Sequence, residues 1–217
     1  MSARARVTLK LATSLDARIA LASGASKWIT GPEARARVHE MRAAHDAILT
    51  GIGTVLADDP RLTARLDAGA PAQQPVRAVL DTSLRTPPGC ALLKEGPAVL
   101  FHGAHAPPSG ALLAAGARCV ALPLHEERVD IAAALDWLAG EGCRSVMIEA
   151  GGKVAASALA LGRVDRIEWF RAPVLLGGDG MAAIAGLGLE TLDAAPIFQR
   201  TRVIECGADV LERWERV

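Results

Sequence analysis

The chain has 217 residues, 24 basic against 24 acidic side chains and a hydrophobic fraction of 51%, enough apolar material for a substantial core in one domain spanning residues 1–217. A formal net charge of zero argues against nucleic-acid or membrane-surface binding driven by bulk charge, and no apolar run reaches the roughly 18 residues of a membrane span. The N-terminus carries Lys10 and Asp16 where a signal peptide needs an apolar run, and Cys90, Cys119, Cys143 and Cys206 form no C-x-x-C while the histidines show no zinc spacing, so a cytoplasmic protein with unpaired thiols and no metal site is expected.

In chain order, Val7–Ala12 alternates and is β-rich enough for a first strand. Thr13–Ala20 follows as a turn, held by Asp16 through Arg18, and a second short strand; Ser23–Ser26 is a loop. Thr30 and Glu33 stand at capping-box spacing and Pro32 suits a first turn, which predicts a helix to about His45 with Ala34, Val38 and Met41 inward. Ala47–Thr50 reads as a buried strand opening into the glycine turn Gly51–Thr54. Val55–Arg65 then leaves the fold as a loop, with Asp59 capping its Asp-Pro turn, and residues 67–75 continue as a polar loop. Val76–Leu80 is a strand closed by Asp81-Thr82-Ser83. Ala98–Phe101 and Ala117–Leu122 are further strands, with a short helix at Leu112–Leu113 between them. Asp130 caps a helix whose stripe is Ile131, Ala134, Leu135 and Leu138.

Ser145–Ser157 is the stretch around which the rest is organised. Val146, Met147 and Ile148 form an apolar run, as in a strand buried on both faces. Glu149 ends it, Gly151-Gly152 follows, and Lys153–Ala160 reads as a helix start. Strand, glycine pair and helix N-terminus together make an anion site, although the G-x-G-x-x-G dinucleotide fingerprint is absent. A tight strand-to-helix turn without a ligand explains the same residues. After residue 165 the alternation of strand and helix stops. Arg166–Phe170 and Ala172–Leu176 are β-rich with a turn at Gly177–Gly180, and Thr201–Glu205 with Val210–Trp214 flank a hairpin turn of three to five residues. The pattern therefore implies an α/β fold with a mixed, mostly parallel sheet and an antiparallel C-terminal hairpin. Parallel strands would put the turns after Thr50, Leu80 and Glu149 on one sheet edge, where a long phosphorylated ligand fits.

The motifs Lys10–Arg18 (KLATSLDAR), Ser26–Thr30 (SKWIT), Leu49–Pro60 (LTGIGTVLADDP), Ile148–Gly152 (IEAGG) and Ala172–Gly177 (APVLLG), in this order, resemble the reductase domain of the bifunctional riboflavin-biosynthesis deaminase/reductase. Ala17 stands where that family usually has glycine. The resemblance implies a three-layer dihydrofolate-reductase-like fold that binds NADPH and reduces the ribosyl group of 5-amino-6-(5-phosphoribosylamino)uracil to a ribityl chain. It also implies a homodimer, expected through residues 166–176 and 201–214. The deaminase half of that family carries a pair of zinc motifs, H-x-E and P-C-x-x-C, which this chain lacks as a pair; a stand-alone reductase and a piece of a longer protein are both compatible with that.

By position, Ala12, Trp28, Thr54, Asp58, Thr82 and the segment starting Gly151, Gly152, Lys153 and Val154 resemble cofactor-contacting residues. Ser26, Arg42, Leu62, Arg65 and Glu149 resemble substrate-contacting ones. The chemistry agrees: a sugar phosphate needs arginine forks, a pyrophosphate suits the helix start at Gly151, and Thr82, Ser83 and Arg85 stand where a 2′-phosphate would need donors. Glu149 is the candidate for orienting the carbon that receives hydride, with the proton donor open between Glu149 and a water. Trp137, Trp169 and Trp214 read as core or interface residues. Two rivals stand beside this reading: a paralogue acting on the undeaminated diaminopyrimidinone or a pterin, and an NADP-binding module without catalysis.

Overall fold

In a computed structural model, which describes residues 4–66, 69, 71 and 73–217, the chain runs β1 (Arg6–Thr13), β2 (Arg18–Ala20), α1 (Pro32–Ala43), β3 (Ala47–Gly51), α2 (Ile52–Asp58), β4 (Val76–Leu80) and α3 (Ala91–Lys94). It continues through β5 (Ala98–His102), α4 (Gly110–Ala114), β6 (Ala117–Ala121), β7 (Leu124–His125), β8 (Arg128–Val129), α5 (Ile131–Gly140), β9 (Ser145–Ile148) and α6 (Gly152–Ala160). It closes with β10 (Arg166–Arg171), β11 (Met181–Ala182), a 3-10 turn (Leu192–Ala194), β12 (Phe198–Cys206) and β13 (Asp209–Arg216). Among the described residues nine strands make one sheet, in the order β12-β13-β10-β1-β9-β3-β4-β5-β6. Every neighbouring pair from β10 to β6 is parallel, and β13 runs antiparallel to β10 and β12. This is the mixed, mostly parallel sheet with an antiparallel C-terminal hairpin that the strand–helix alternation implies.

Side chains alternate across each strand, and the two sheet faces build two cores. Val7, Leu9, Leu11, Leu49, Val146 and Ile148 pack with Ile131, Leu135 and Leu138 of α5 and Ala155 and Leu159 of α6. Ile48, Val79, Leu100, Met147 and Phe170 pack on the other face with Ala34, Val38 and Met41 of α1, Val55 of α2 and Leu92 and Leu93 of α3. The result is three layers, with α1 lying over the face of β1 that carries Thr8, Lys10 and Ala12. Trp137 meets Phe101 edge-on at 5.3 Å between ring centroids, and Trp169 and Trp214 pack against the α5–α6 core.

Several local expectations are corrected. The Thr30–Glu33 capping box does not form. Helix α1 starts after Gly31 with no side-chain cap of its own and ends at Ala43; the Gly31 N–H donates instead to Asp209 Oδ2 at 2.6 Å, a carboxylate delivered by the turn between β12 and β13. Val55–Asp58 is helical, because β3 runs straight into α2 at Gly51 and the helix ends only at Asp59, in left-handed backbone at φ 44°. Asp59 does not cap its own turn; its Oδ1 accepts the Ala91 N–H at 2.7 Å and so caps α3. Ala172–Leu176 is not a strand, and the C-terminal hairpin turns on two residues, Gly207 and Ala208, between the paired Cys206 and Asp209, with Gly207 at φ 64°. Leu66 and Gly69 pair across the polar loop; residues 67, 68, 70 and 72 of that loop lie outside the described ones.

Asp16 holds its turn through Ser14, whose Oγ donates to it at 2.6 Å, rather than through Arg18. It also accepts the N–H groups of Leu176 and Gly177. The Ser14 bond and the Leu176 N–H pull its carboxyl down to about 2. Between these anchors Ala17 sits at φ 61°, a left-handed conformation that favours glycine. Ala17→Gly should raise the unfolding free energy by about 0.5 kcal/mol, the left-handed strain of a non-glycine residue exceeding the chain entropy that glycine adds. Urea denaturation checks this, as a higher midpoint at unchanged slope.

Candidate active site

Parallel pairing puts the C-terminal ends of β1, β9, β3 and β4 on one edge, and β9 is the short one. Its pairing with β1 stops at Leu9 opposite Ile148, while β1 runs on to Thr13. The carbonyls of Val7 and Thr13 accept from Asp165 and Ala172, on the β10 side, and the Arg6 N–H donates to Arg144, on the β9 side. Residue parity therefore turns the peptide N–H and C=O of Ala12 toward β9, where that strand has already ended. The sheet has a notch there, floored by Glu149.

Glu149 is 7% exposed. Arg42 grips it in a two-pronged pair, Nε donating to Oε1 at 2.7 Å and Nη2 to Oε2 at 2.9 Å. Lys10 Nζ stands 3.9 Å from Oε2. Burial by itself would push the Glu149 carboxyl up; the charge and hydrogen bonds of Arg42, with the charge of Lys10, outweigh it and hold the group below its ordinary range. Burial is also the main influence on Lys10, and together with Arg42 it overcomes the pull of Glu149 and lowers the ammonium pKa. Glu149 is thus a fixed anion, and its ionisation removes it as a proton donor. Lys10 is the group whose proton is loosened.

The loop after α2 is pinned to this cluster from four directions. Asp59 is tied to α3 as above. Arg77 of β4, 4% exposed, donates to Leu92 O at 2.7 Å and Pro97 O at 3.0 Å, with Arg61 O at 3.4 Å. Gln74 brackets Ala64, accepting its N–H and donating to its carbonyl, both at 2.8 Å. Arg42 Nη1 donates to Thr63 O at 3.2 Å. His39, one turn before Arg42 on the same face of α1, lies 3.1 Å from Thr63 O through Nδ1 and 3.2 Å from Arg65 Nη2 through Nε2. Arg42 and Arg65 therefore belong to one cationic cluster with Lys10 and Glu149, and Glu149 precedes the Gly151-Gly152 bend by two residues. Leu62 is 2% exposed with its side chain in the core, so the loop offers its backbone there.

The other expected residues distribute around the notch. Thr54 is in the first turn of α2, and a side chain added at Gly53 would meet nothing within 4 Å, so that helix start is open. Gly151 caps α6 and is nearly as open, with only Ile19 Cδ1 at 4.0 Å from an added Cβ. Gly152 is different: an added Cβ would stand 2.6 Å from Ala182 O, and Gly152 O accepts the Ala185 N–H at 3.0 Å. Its lack of a side chain makes room for the chain's own 182–185 segment. Val154 packs into the core and Lys153 is exposed. Lys27 Nζ reaches Asp58 O at 3.4 Å, tying the end of α2 to the loop of Ser26 and Trp28. Trp28 is 71% exposed, with the Arg35 guanidinium 4.6 Å from its ring centre, so it is not a core residue. Thr82 Oγ1 accepts the Val129 N–H at 3.1 Å, and Ser83 beside it is exposed. Among the described residues no group of three His, Cys, Asp or Glu is placed to hold a metal.

Sequence reasoning passes over Lys10 and His39 as site members, though each left a signal. Lys10 occupies a strand whose neighbours are all apolar or small, and a charge there needs a partner. His39 shares a helix face with Arg42. Among the described residues two buried hydroxyls, Thr50 Oγ1 near the end of β3 and Thr63 Oγ1 on the pinned loop, have no hydrogen-bond partner.

The family model of the RibD C-terminal domain matches residues 5–211. The 2,5-diamino-6-ribosylamino-4(3H)-pyrimidinone 5′-phosphate reductase of Methanothermobacter thermautotrophicus is 38% identical over 210 residues, 96% of each chain. The riboflavin biosynthesis protein RibD of Bacillus amyloliquefaciens is 37% identical over 209 residues, 94% of this chain but 55% of the relative, so the chain spans about half the length of that protein. Among solved structures, Acinetobacter baumannii RibD is 31% identical with a TM-score of 0.87, covering 99% of this chain and 58% of that one. A dihydrofolate reductase from Enterococcus faecalis, 12% identical with a TM-score of 0.55 over 97% and 96% of the two chains, shares the fold.

Arg42→Met should destabilise the protein by about 3–5 kcal/mol, because it strands a buried carboxylate. Arg42→Met with Glu149→Leu should recover part of that loss. Chemical denaturation of the three proteins checks both outcomes.

Proposed function

The chain belongs to the RibD C-terminal domain family, and on that footing we propose that it is a cytoplasmic NADPH-dependent oxidoreductase of riboflavin biosynthesis that reduces the ribosyl group of 5-amino-6-(5-phosphoribosylamino)uracil to a ribityl chain. One observation carries the reading: a notch in the sheet brings a free peptide edge, two open helix starts and a buried Lys10–Arg42–Glu149 cluster together. A reduced nicotinamide, a pyrophosphate and a phosphorylated sugar need those three features side by side.

The residues present fit the cofactor. The open backbone at Gly53 and Gly151 leaves room for close approach, and the turned-out peptide of Ala12 offers one donor and one acceptor, as a carboxamide requires. Ala12, Trp28, Thr54, Asp58 and the segment from Gly151 through Gly152 and Lys153 to Val154 would hold it. The start of α6 would take the pyrophosphate, and Thr82 and Ser83 would face the adenosine end. NADPH, when bound, would supply the hydride for the first carbon of the opened ribosyl chain.

On the substrate side, Arg65, with Arg42 behind it, would bind the 5′-phosphate, and Ser26 and the Leu62 backbone would border the ring. Glu149 keeps its charge throughout, so its work is to orient the sugar and to anchor Lys10. The nitrogen beside the reduced carbon must gain a proton, and Lys10, with its lowered pKa, is the donor. The walls of α1, α2 and the 59–65 loop would limit water around that transfer once cofactor and substrate fill the notch. The protein would act as a homodimer through the C-terminal hairpin, where β12 is the outermost strand and Val203 is 53% exposed.

A second substrate has specific support. The relative matched over 96% of its own length carries the name of a diaminopyrimidinone phosphate reductase, which is the undeaminated ring. Turnover of the two pyrimidines by purified protein, followed as NADPH oxidation, separates the cases; oxidation with neither would leave a nucleotide-binding module. With the better substrate, Lys10→Met should lower kcat by about 10²-fold or more and abolish the alkaline limb of the pH–rate profile, which in the wild type falls below the ordinary lysine range.

A further inference from the structure

We propose that His39 is a positioning residue that aims Arg65 at the substrate's phosphate; the proposal rests on the reading of Arg65 as a phosphate ligand. Arg65 is exposed, on a loop whose next residue but one lies outside the described ones. A free arginine of that kind would surrender much rotamer freedom on binding. It is not free. An arginine only donates, so the 3.2 Å contact between Arg65 Nη2 and His39 Nε2 requires an unprotonated Nε2. The proton of the neutral ring then sits on Nδ1 and is donated to Thr63 O at 3.1 Å. The Arg65 N–H also lies 3.3 Å from Nδ1, but a nitrogen that carries the proton has no lone pair for it, so that approach is proximity alone. One tautomer thus links α1 to both ends of the Thr63–Arg65 segment.

The surroundings keep the ring neutral. Burial is the main influence, and Arg42 and Arg65 add to it, against weaker opposing pulls from the Thr63 carbonyl and Glu149. One N–H of Arg65 is spent on His39, and the remaining four stay available for phosphate oxygens. His39 is therefore an acceptor that selects one direction for the guanidinium before substrate arrives, which is where preorganisation gains affinity.

The test is a double-mutant cycle in the full chain, read as KM and kcat for the phosphoribosylated pyrimidine and as the Kd of ribose 5-phosphate by calorimetry. His39→Ala should raise KM and Kd about tenfold, the scale of a lost hydrogen bond to a charged group, with kcat within about twofold of wild type. His39→Gln, whose Oε1 can accept from Arg65, should restore most of the affinity. Arg65→Ala should weaken binding at least as much, and His39→Ala should add nothing to it. Additive effects, or a wild-type Kd in His39→Ala beside a weakened Arg65→Ala, overturn the proposal. A wild-type Kd in Arg65→Ala overturns the reading of the phosphate site itself. If His39→Ala does not fold, His39→Leu removes the acceptor at similar volume and is read in the same way.

Discussion

The two-pronged pair between Arg42 and Glu149 is the constraint on which the rest of the site depends. It joins α1, in one layer, to the end of β9, in the middle of the sheet. Taking both charges out of water is expensive, and a well-packed apolar pair would often serve stability as well. What an apolar pair could not do is hold a permanent anion next to Lys10 while presenting a guanidinium to the Thr63 carbonyl. The pair fixes the depth of α1 over β1 and β9. The helix start is fixed separately, by the Asp209 carboxylate on Gly31. With both ends held, the face carrying His39 and Arg42 has one orientation.

Around that fixed helix the site divides by strand length. Because β9 has four residues and β1 eight, the sheet is notched rather than continuous, and the Ala12 peptide, turned toward the β9 side, faces a space instead of a neighbouring strand. The notch separates two kinds of surface. On one side lie neutral backbone and helix starts, suited to a dinucleotide. On the other lie fixed charges and a loop pinned by Asp59, Gln74, Arg77 and Arg42. Loops usually carry function at the cost of mobility; here the anchors come from α1, α3, β4 and the polar loop, so the segment behaves more like part of the scaffold.

Much of the fold was legible from residue pattern. Strands with apolar runs, such as Val146–Ile148, and helices with a clean stripe, such as the one Asp130 caps, needed no tertiary information. The failures were of two kinds. Short elements with one buried residue, like α2 with Val55, carry no periodicity to read, and their carboxylates and proline look like a loop. Long-range caps are invisible locally: Thr30 and Glu33 have capping-box spacing, yet the Gly31 N–H is bound by Asp209, 178 residues further on. For the site, Glu149 stands in one of the distinctive motifs, and the arginines follow from their positions relative to those motifs. Lys10 and His39 were not legible, because their roles exist only once α1 is laid over β1. Gly152 was read as room for a ligand, and what fills that room is the chain itself.

The position of β1 has a consequence for assembly. Strand β1 lies between β9 and β10, and its Val7 N–H waits for Asp165, 158 residues later in the chain. Contacts of such high order close slowly and cannot form until residue 165 has been made. The β3–β6 half has its partners nearby in sequence and can form early; the half that carries Lys10 and Glu149 has to be zipped up last. Nascent chains halted before residue 165 would therefore hold a partial sheet with the notch still unbuilt.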